Sequence, residues 1–199
     1  MIILASASPR RKEILEQMGL EFTIKTSDAP EFTDKTDPGE MVMDLSRMKA
    51  EAVYRAVCNE GILPQNTTNI IIAADTLVFA DGKVLGKPRD RKEAFDMLNL
   101  LQGRSHEVRT GVTLVYITKE AHQVSFQDVT EVTFAPMSDK EINALIDTGE
   151  PMDKAGAYGI QGYTAKFITG IKGDYYNVMG LPAAKLYATM KEHHLIEEV

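Results

Sequence analysis

The most hydrophobic segment of the chain spans residues 70–79 and consists of Ile-Ile-Ile-Ala-Ala-Asp-Thr-Leu-Val-Phe. Apolar residues at nearly every position, without alternation, predict a strand that is buried on both faces at the centre of a sheet. Asp75 interrupts this strand. A buried carboxylate is costly unless it is paired, hydrogen-bonded or bound to a metal. Asp75 is therefore either a turn residue at a strand end or an acid held in an active site.

The start of the chain predicts an anion-binding turn. The apolar run Ile2–Ala5 is typical of a short buried strand, and an amphipathic helix follows it. Ser8 suits the N-cap of that helix and Pro9 its first position. A helix N-terminus presents free backbone N–H groups, to which Arg10 and Arg11 add side-chain donors, so phosphate is the expected ligand. The same residues could also form an ordinary solvated helix start.

Two lysines are predicted to lie near these residues. A helix opening at Asp37 and continuing to about residue 58 carries Lys49 beside its apolar side. Asp81-Gly82 predicts a hairpin turn, and the returning strand should bring Lys87 back toward Asp75.

Capping residues and periodicity predict the remaining elements: a strand at 20–25, a helix capped by Asp90, strands at 105–118 and 123–135, a helix capped by Ser138, a hairpin-like pair at 167–171 and 174–178, and a helix ending near His194. This mixture predicts an α/β fold with a mixed sheet flanked by helices, with two lobes around a central cleft. His106, a lone histidine in a strand, is assigned no role.

Charge and composition narrow the class of protein. The formal net charge of −7 argues against non-specific binding to nucleic acids or anionic membranes. Cys58 is the single cysteine, so an internal disulfide is impossible, and its place in a helical pattern predicts a small core residue. The chain contains neither a signal-peptide pattern nor an apolar run of about 20 residues, so we expect a cytoplasmic protein.

The polar residues singled out above suit phosphate chemistry. The sequence contains no P-loop or dinucleotide-binding glycine motif, no G-x-S-x-G and no H-E-x-x-H. What remains is a cationic turn, two lysines, and carboxylates at Asp75 and Glu31. Mg²⁺ is usually held by one or two carboxylates together with substrate phosphates, and a carboxylate can also deprotonate an attacking water. These groups together predict metal-assisted hydrolysis of a phosphoanhydride.

The chain resembles the Maf family of nucleoside triphosphate pyrophosphatases. The matching segments occur in order along almost its whole length: Leu4-Ala-Ser-Ala-Ser-Pro-Arg-Arg11, Ala74-Asp-Thr76, Gly86-Lys-Pro88, Leu101-Gln-Gly-Arg-Ser-His106, Glu150-Pro-Met-Asp-Lys-Ala-Gly-Ala-Tyr-Gly-Ile-Gln-Gly162 and Gly173-Asp-Tyr-Tyr-Asn-Val-Met-Gly-Leu-Pro182. The resemblance implies a single domain over residues 1–199, with an elongated mixed sheet similar to that of inosine triphosphate pyrophosphatases. It also implies a divalent metal (Mg²⁺ or Mn²⁺), hydrolysis between the α- and β-phosphates, and a homodimer.

The resemblance assigns roles to particular residues. Asp75 would accept the proton of the attacking water and touch the metal, for which Glu31 is the other expected ligand. The residues expected to bind the triphosphate are Ser8, Arg10, Arg11, Lys49 and Lys87. Those that match positions used for substrate choice are Arg11, Thr76 and Gln161.

The loop that ends in Gln161 resembles the branch of the family that acts on dTTP and UTP. An amide side chain offers an acceptor and a donor that complement the N3–H and carbonyl groups of uracil and thymine, whereas cytosine presents the reverse pattern. Two other interpretations stay open. The enzyme could remove modified nucleotides, or the chain could be a nucleotide-binding regulator of septum formation and cell division.

Overall fold

The computed structural model describes residues 1–26, 32–64 and 67–196. Within them, the strands span Ile2–Leu4 (β1), Phe22–Ile24 (β2), Asn69–Ala80 (β3), Lys83–Leu85 (β4), Ser105–Ile117 (β5), Ala121–Phe134 (β6) and Ile168–Lys172 (β7). The α-helices span Pro9–Gln17 (α1), Pro38–Glu60 (α2), Arg91–Leu101 (α3), Asp139–Asp147 (α4), Tyr175–Met179 (α5) and Ala183–Glu192 (α6). Short 3₁₀ helices occupy Glu150–Asp153, Ala155–Ala157 and Tyr163–Phe167.

These strands form one mixed sheet in the order β2-β1-β3-β5-β6-β7, and β4 pairs with β3. β1 runs parallel to both β2 and β3, whereas β4 is antiparallel to β3 and β7 is antiparallel to β6. The predicted central strand is confirmed, since residues 71–74 of β3 are fully buried. The prediction of an α/β fold with helices flanking a mixed sheet is therefore correct.

The chain divides into two compact units, and strands β3, β5 and β6 have residues in both. Unit 1 comprises Met1–Asp75, Thr110–Asp128 and Gly180–Val199. In its core, α2 packs on the sheet through Ala50, Val53 and Val57. The helix approaches β5 so closely that a Cβ atom on Gly111 would lie 2.2 Å from the carbonyl oxygen of Val42.

Unit 2 comprises Thr76–Arg109 and Val129–Met179. Its core combines apolar residues of β3, β5 and β6 with those of α3 and α4. Both of these helices begin where the sequence predicts: the side chains of Asp90 and Ser138 accept hydrogen bonds from backbone N–H groups of the first turn. The cleft expected between two lobes stays a prediction.

Two predictions of local structure were wrong. Residues 174–178, predicted to be one half of a hairpin-like pair, lie mostly in the short helix α5 at Tyr175–Met179. The Asp174 carboxylate accepts a hydrogen bond from the Tyr176 N–H, and the buried Asn177 amide donates to the Val108 carbonyl and the Thr130 hydroxyl. These contacts outweigh the strand propensity of the aromatic and β-branched side chains. Cys58 is exposed near the end of α2 and is not a core residue.

None of the helices in the described ranges has the length and apolar character needed to cross a membrane.

Candidate active site

The register between β1 and β3 places the end of β1 beside the middle of β3, so the predicted anion-binding turn and Asp75 both belong to unit 1. Leu4 lies opposite Ile72, and the Ala5 N–H donates to the Ile72 carbonyl over 2.8 Å. The chain leaves β1 toward β2 on one side, while β3 lies on the other side. In α/β sheets, ligands bind outside the carboxyl ends of strands at such a reversal of strand order. The turn after β1 lies beyond the end of this paired segment, and Asp75 follows Ile72 by three residues.

The turn between β1 and α1 is held together by its own side chains. The buried Ser6 hydroxyl accepts hydrogen bonds from the Ser8 N–H over 3.2 Å and from Arg11 Nη1 over 3.1 Å. Ser8 is at the N-cap, as predicted, and its hydroxyl makes no capping hydrogen bond. Since the first N–H groups of a helix have no partner within it, this turn offers backbone and hydroxyl donors together.

The two adjacent arginines have different surroundings. Arg11 Nε donates to the Gly180 carbonyl over 2.7 Å, so its guanidinium joins the turn to the segment before α6. Arg10 is half-buried, and no side-chain hydrogen bond or ion pair is found for it among the described residues. Arg11 therefore supports the turn, whereas Arg10 has a guanidinium able to meet an anion.

Asp75 forms an ion pair with Lys49 of α2. Lys49 Nζ donates to Asp75 Oδ1, and the two side chains are 16% and 11% exposed. The buried carboxylate is therefore compensated by an ammonium group, and its position inside β3 excludes the alternative of a turn residue at a strand end. α2 positions this lysine because the neighbouring Ala50 and Val53 are buried against the sheet.

The other predicted substrate-binding residues belong to unit 2. Thr76 is half-buried in β3, while Lys87 after β4 and Gln161 in the following loop are exposed. The expected approach of Lys87 to Asp75 stays a prediction. Glu31, the second expected metal ligand, lies outside the described residues.

The loop that carries Gln161 is fixed to two other motifs of unit 2. The Gly156 N–H donates to the Gly86 carbonyl over 3.0 Å. Gly156 has a φ of 68°, and a Cβ atom there would lie 2.9 Å from the side chain of Val78, so both backbone and space require glycine. The next residue, Ala157, also has a positive φ of 60°, which is uncommon for a residue with a side chain.

His106, to which the sequence analysis assigns no role, contacts the same loop. It is buried, and its Nε2 lies 2.7 Å from the hydroxyl of Tyr158. Both rings meet Phe134 edge to face. Burial lowers the pKa of His106 to about 4 and raises the pKa of Tyr158 well above its usual value. A histidine in an alternating strand gave no signal of this contact, because Tyr158 is 52 residues away in sequence.

The residues present can contribute to a site for a hard divalent cation. Asp75 supplies a carboxylate on the central strand β3, and Mg²⁺ typically combines one or two protein carboxylates with phosphate oxygens. Within residues 1–26, 32–64 and 67–196, no group of three or more His, Cys, Asp or Glu side chains is arranged to hold a metal.

The chain is similar to members of one protein family over almost its whole length. The family model described as "Maf-like protein" matches residues 1–193. A protein of Carboxydothermus hydrogenoformans named "dTTP/UTP pyrophosphatase" is 49% identical, and the alignment covers 96% of this chain and 97% of that protein. A protein of the same name from Agathobacter rectalis is 45% identical, over 96% of this chain and 96% of that protein. Another from Clostridium perfringens is 46% identical, over 98% of this chain and 97% of that protein. Among solved structures, the Staphylococcus aureus Ham1 protein superposes with a TM-score of 0.43 at 13% identity, over 97% of this chain and 98% of that one.

Proposed function

The chain belongs to the Maf family, and we propose that it is a nucleoside triphosphate pyrophosphatase that converts dTTP and UTP to the monophosphate and pyrophosphate. The observation that carries this proposal is the Asp75–Lys49 ion pair on β3, the strand that pairs with β1 where β1 leads into the turn before α1. An acid and an array of phosphate donors on neighbouring strands suit hydrolysis of a phosphoanhydride.

The turn after β1 would bind the triphosphate. Backbone N–H groups at the start of α1, the Ser8 hydroxyl and the Arg10 guanidinium supply hydrogen bonds and positive charge. Arg11 keeps these groups in place through Ser6 and Gly180. Lys87 adds a further cation for the phosphates. These contacts hold the α-phosphate in position for attack, which lowers the entropic part of the barrier.

Asp75 would accept the proton of the attacking water. The water oxygen forms a bond to the α-phosphorus while the bond from that phosphorus to the bridging oxygen breaks. Pyrophosphate leaves with the electron pair of the broken bond, and the proton of the water passes to the Asp75 carboxylate. Lys49 orients this carboxylate through the bond to Oδ1.

We propose that Asp75 and Glu31 hold Mg²⁺ or Mn²⁺ together with oxygens of the triphosphate. When bound, such a cation neutralises phosphate charge and lowers the pKa of a coordinated water.

Base selection would depend on Gln161, with Thr76 and Arg11 contributing. The Gln161 amide can accept from N3–H and donate to a carbonyl of uracil or thymine. Cytosine places an acceptor and a donor at the corresponding atoms, so both hydrogen bonds would be lost. The two accepted bases differ by one methyl group, which requires only space.

A panel of normal and modified triphosphates, with identification of the products, tests the proposal. We expect metal-dependent release of pyrophosphate from dTTP and UTP, and near-complete loss of turnover in Asp75→Asn. Asp96→Asn is the matched control, because Asp96 also pairs with a lysine but lies on the surface. A preference for a purine or a modified base would reject the proposed substrates, and full activity of Asp75→Asn would reject its role.

The family also implies a homodimer, and we propose this state for the active enzyme in the cytoplasm. Light scattering coupled to gel filtration measures the mass in solution, and a monomer of 22.1 kDa would contradict the proposal.

A further inference from the structure

We propose that Glu150 is a positioning residue for base selection: its carboxylate holds the turn at residues 159–162, which presents Gln161. This inference rests on the proposed function of Gln161. Glu150 begins the first 3₁₀ helix of the loop, 11 residues before Gln161, and it is half-buried.

The Glu150 carboxylate contacts the C-terminal end of this turn. Its Oε2 accepts a hydrogen bond from the Tyr163 N–H over 2.8 Å. A Cβ atom on Gly162 would lie 2.1 Å from both carboxylate oxygens, so a side chain cannot be accommodated there while Glu150 keeps its place. Gly162 has a φ of −98°, so it does not occupy the left-handed region that favours glycine. A side chain at this position would therefore have to displace the Glu150 carboxylate from its place.

Lys154 encloses the turn on its N-terminal side. Its Nζ donates to the Glu150 carbonyl and to Asp153 Oδ1, both over 2.7 Å. The aliphatic part of the side chain then lies against Gly159, where a Cβ atom would be 2.8 Å from Lys154 Cε. Gln161 therefore lies between Gly159 and Gly162. The side chains of Lys154 and Glu150 restrict the backbone at these two glycines.

The second carboxylate oxygen of Glu150 indicates that this arrangement lowers the stability of the folded chain. Glu150 Oε1 is buried and has no hydrogen-bond partner among the described residues. An unpaired buried oxygen on a carboxylate destabilises the fold, and an amide could make the bond to Tyr163 without a charge. Glycine residues alone would leave the backbone around Gln161 with many conformations. The Glu150 contact removes that freedom and fixes where the Gln161 amide meets the base.

Steady-state kinetics on UTP and CTP test this inference, with Glu150→Ala, Glu150→Gln and the surface control Asp147→Ala. Wild type and Asp147→Ala should prefer UTP. In Glu150→Ala, the ratio of kcat/KM for UTP to that for CTP should fall at least about fivefold, because the hydrogen bonds of Gln161 are made less often. Glu150→Gln should retain most of the ratio, since its amide oxygen can still accept from Tyr163.

The predicted overlap between a side chain at position 162 and the Glu150 carboxylate provides a second test. Gly162→Ala should reduce the ratio by itself, whereas Gly162→Ala combined with Glu150→Ala should be no worse than Glu150→Ala alone. Hydrogen exchange at the Tyr163 amide should be faster in Glu150→Ala, and this measurement requires no substrate.

The outcomes separate this inference from the proposed function. A wild type that does not prefer UTP to CTP overturns both. A preference that survives in Glu150→Ala, equal losses on UTP and CTP, or unchanged exchange at Tyr163 overturns the role of Glu150 alone.

Discussion

Acidification should destabilise the folded chain through His106. This side chain is 3% exposed, and burial lowers its pKa from 6.5 to about 4. Its Nδ1 is buried without a hydrogen-bond partner in the described part of the chain, so a charge on the ring would have little compensation. Below pH 6.5 the unfolded chain binds a proton at this residue that the folded chain does not bind until about pH 4. The contribution of His106 is thus complete above pH 6.5 and is lost as the pH falls toward 4.

The two pKa values set the size of the effect. A pKa of 6.5 in the unfolded chain and about 4 in the folded chain predicts a loss of about 2 kcal/mol in the free energy of unfolding between pH 7.5 and pH 5. The limiting loss at lower pH is about 3 kcal/mol, because each pKa unit corresponds to about 1.4 kcal/mol.

Urea denaturation of wild type and His106→Gln at several pH values from 7.5 to 5 measures this loss. The variant can keep a hydrogen bond to Tyr158 but has no group that titrates in this range. Its stability at pH 7.5 can differ from that of wild type, but its decline toward pH 5 should be smaller by about 2 kcal/mol. Parallel pH profiles for the two proteins would refute the reasoning.

Three further substitutions have expected outcomes in chemical denaturation. Gly111→Ala should lower the free energy of unfolding by about 1–3 kcal/mol, because the new Cβ atom would lie 2.2 Å from a carbonyl oxygen of α2, whereas Gly170→Ala, with its nearest contact at 3.8 Å, should cost less. Lys49→Met should cost about 3 kcal/mol by leaving Asp75 unpaired, and adding Asp75→Asn should recover most of that loss; additive losses would contradict the ion pair. Ser138→Ala should cost about 1 kcal/mol by removing the capping box of α4, and an unchanged midpoint would contradict that role.

Local chemistry made the helix starts predictable. Asp37, Asp90 and Ser138 each precede a glutamate by three residues, and each accepts the expected hydrogen bond from that residue's N–H. A cap of this kind depends on four consecutive residues, so the sequence contains all the information it needs. The same holds for the hairpin at Asp81-Gly82.

Contacts between distant residues were not predictable. The helix at 175–179 depends on Asn177, whose partners lie 69 and 47 residues away. The pairing of His106 with Tyr158 and the enclosure of Gly162 by Glu150 likewise depend on how loops fold back. The exposure of Cys58 has a similar cause. Helical spacing indicates which face of a helix is apolar, but it does not show how far along the helix that face is buried.

The site illustrates how topology adds to what the motifs provide. From the sequence, the anion-binding turn and Asp75 are separate features about 65 residues apart, and either could be an ordinary structural element. The order β2-β1-β3 makes their strands parallel neighbours, so the turn that follows β1 continues in the direction in which β3 reaches Asp75.

The same placement distinguishes two arginines that the sequence presents as equivalent. Arg11 is committed to Ser6 and to the Gly180 carbonyl, so its guanidinium is part of the structure of the turn. Its neighbour, Arg10, meets no such partner among the described residues. This division fits the proposed roles of the two residues: one guanidinium organises the donors of the turn in advance, and the other would neutralise phosphate charge.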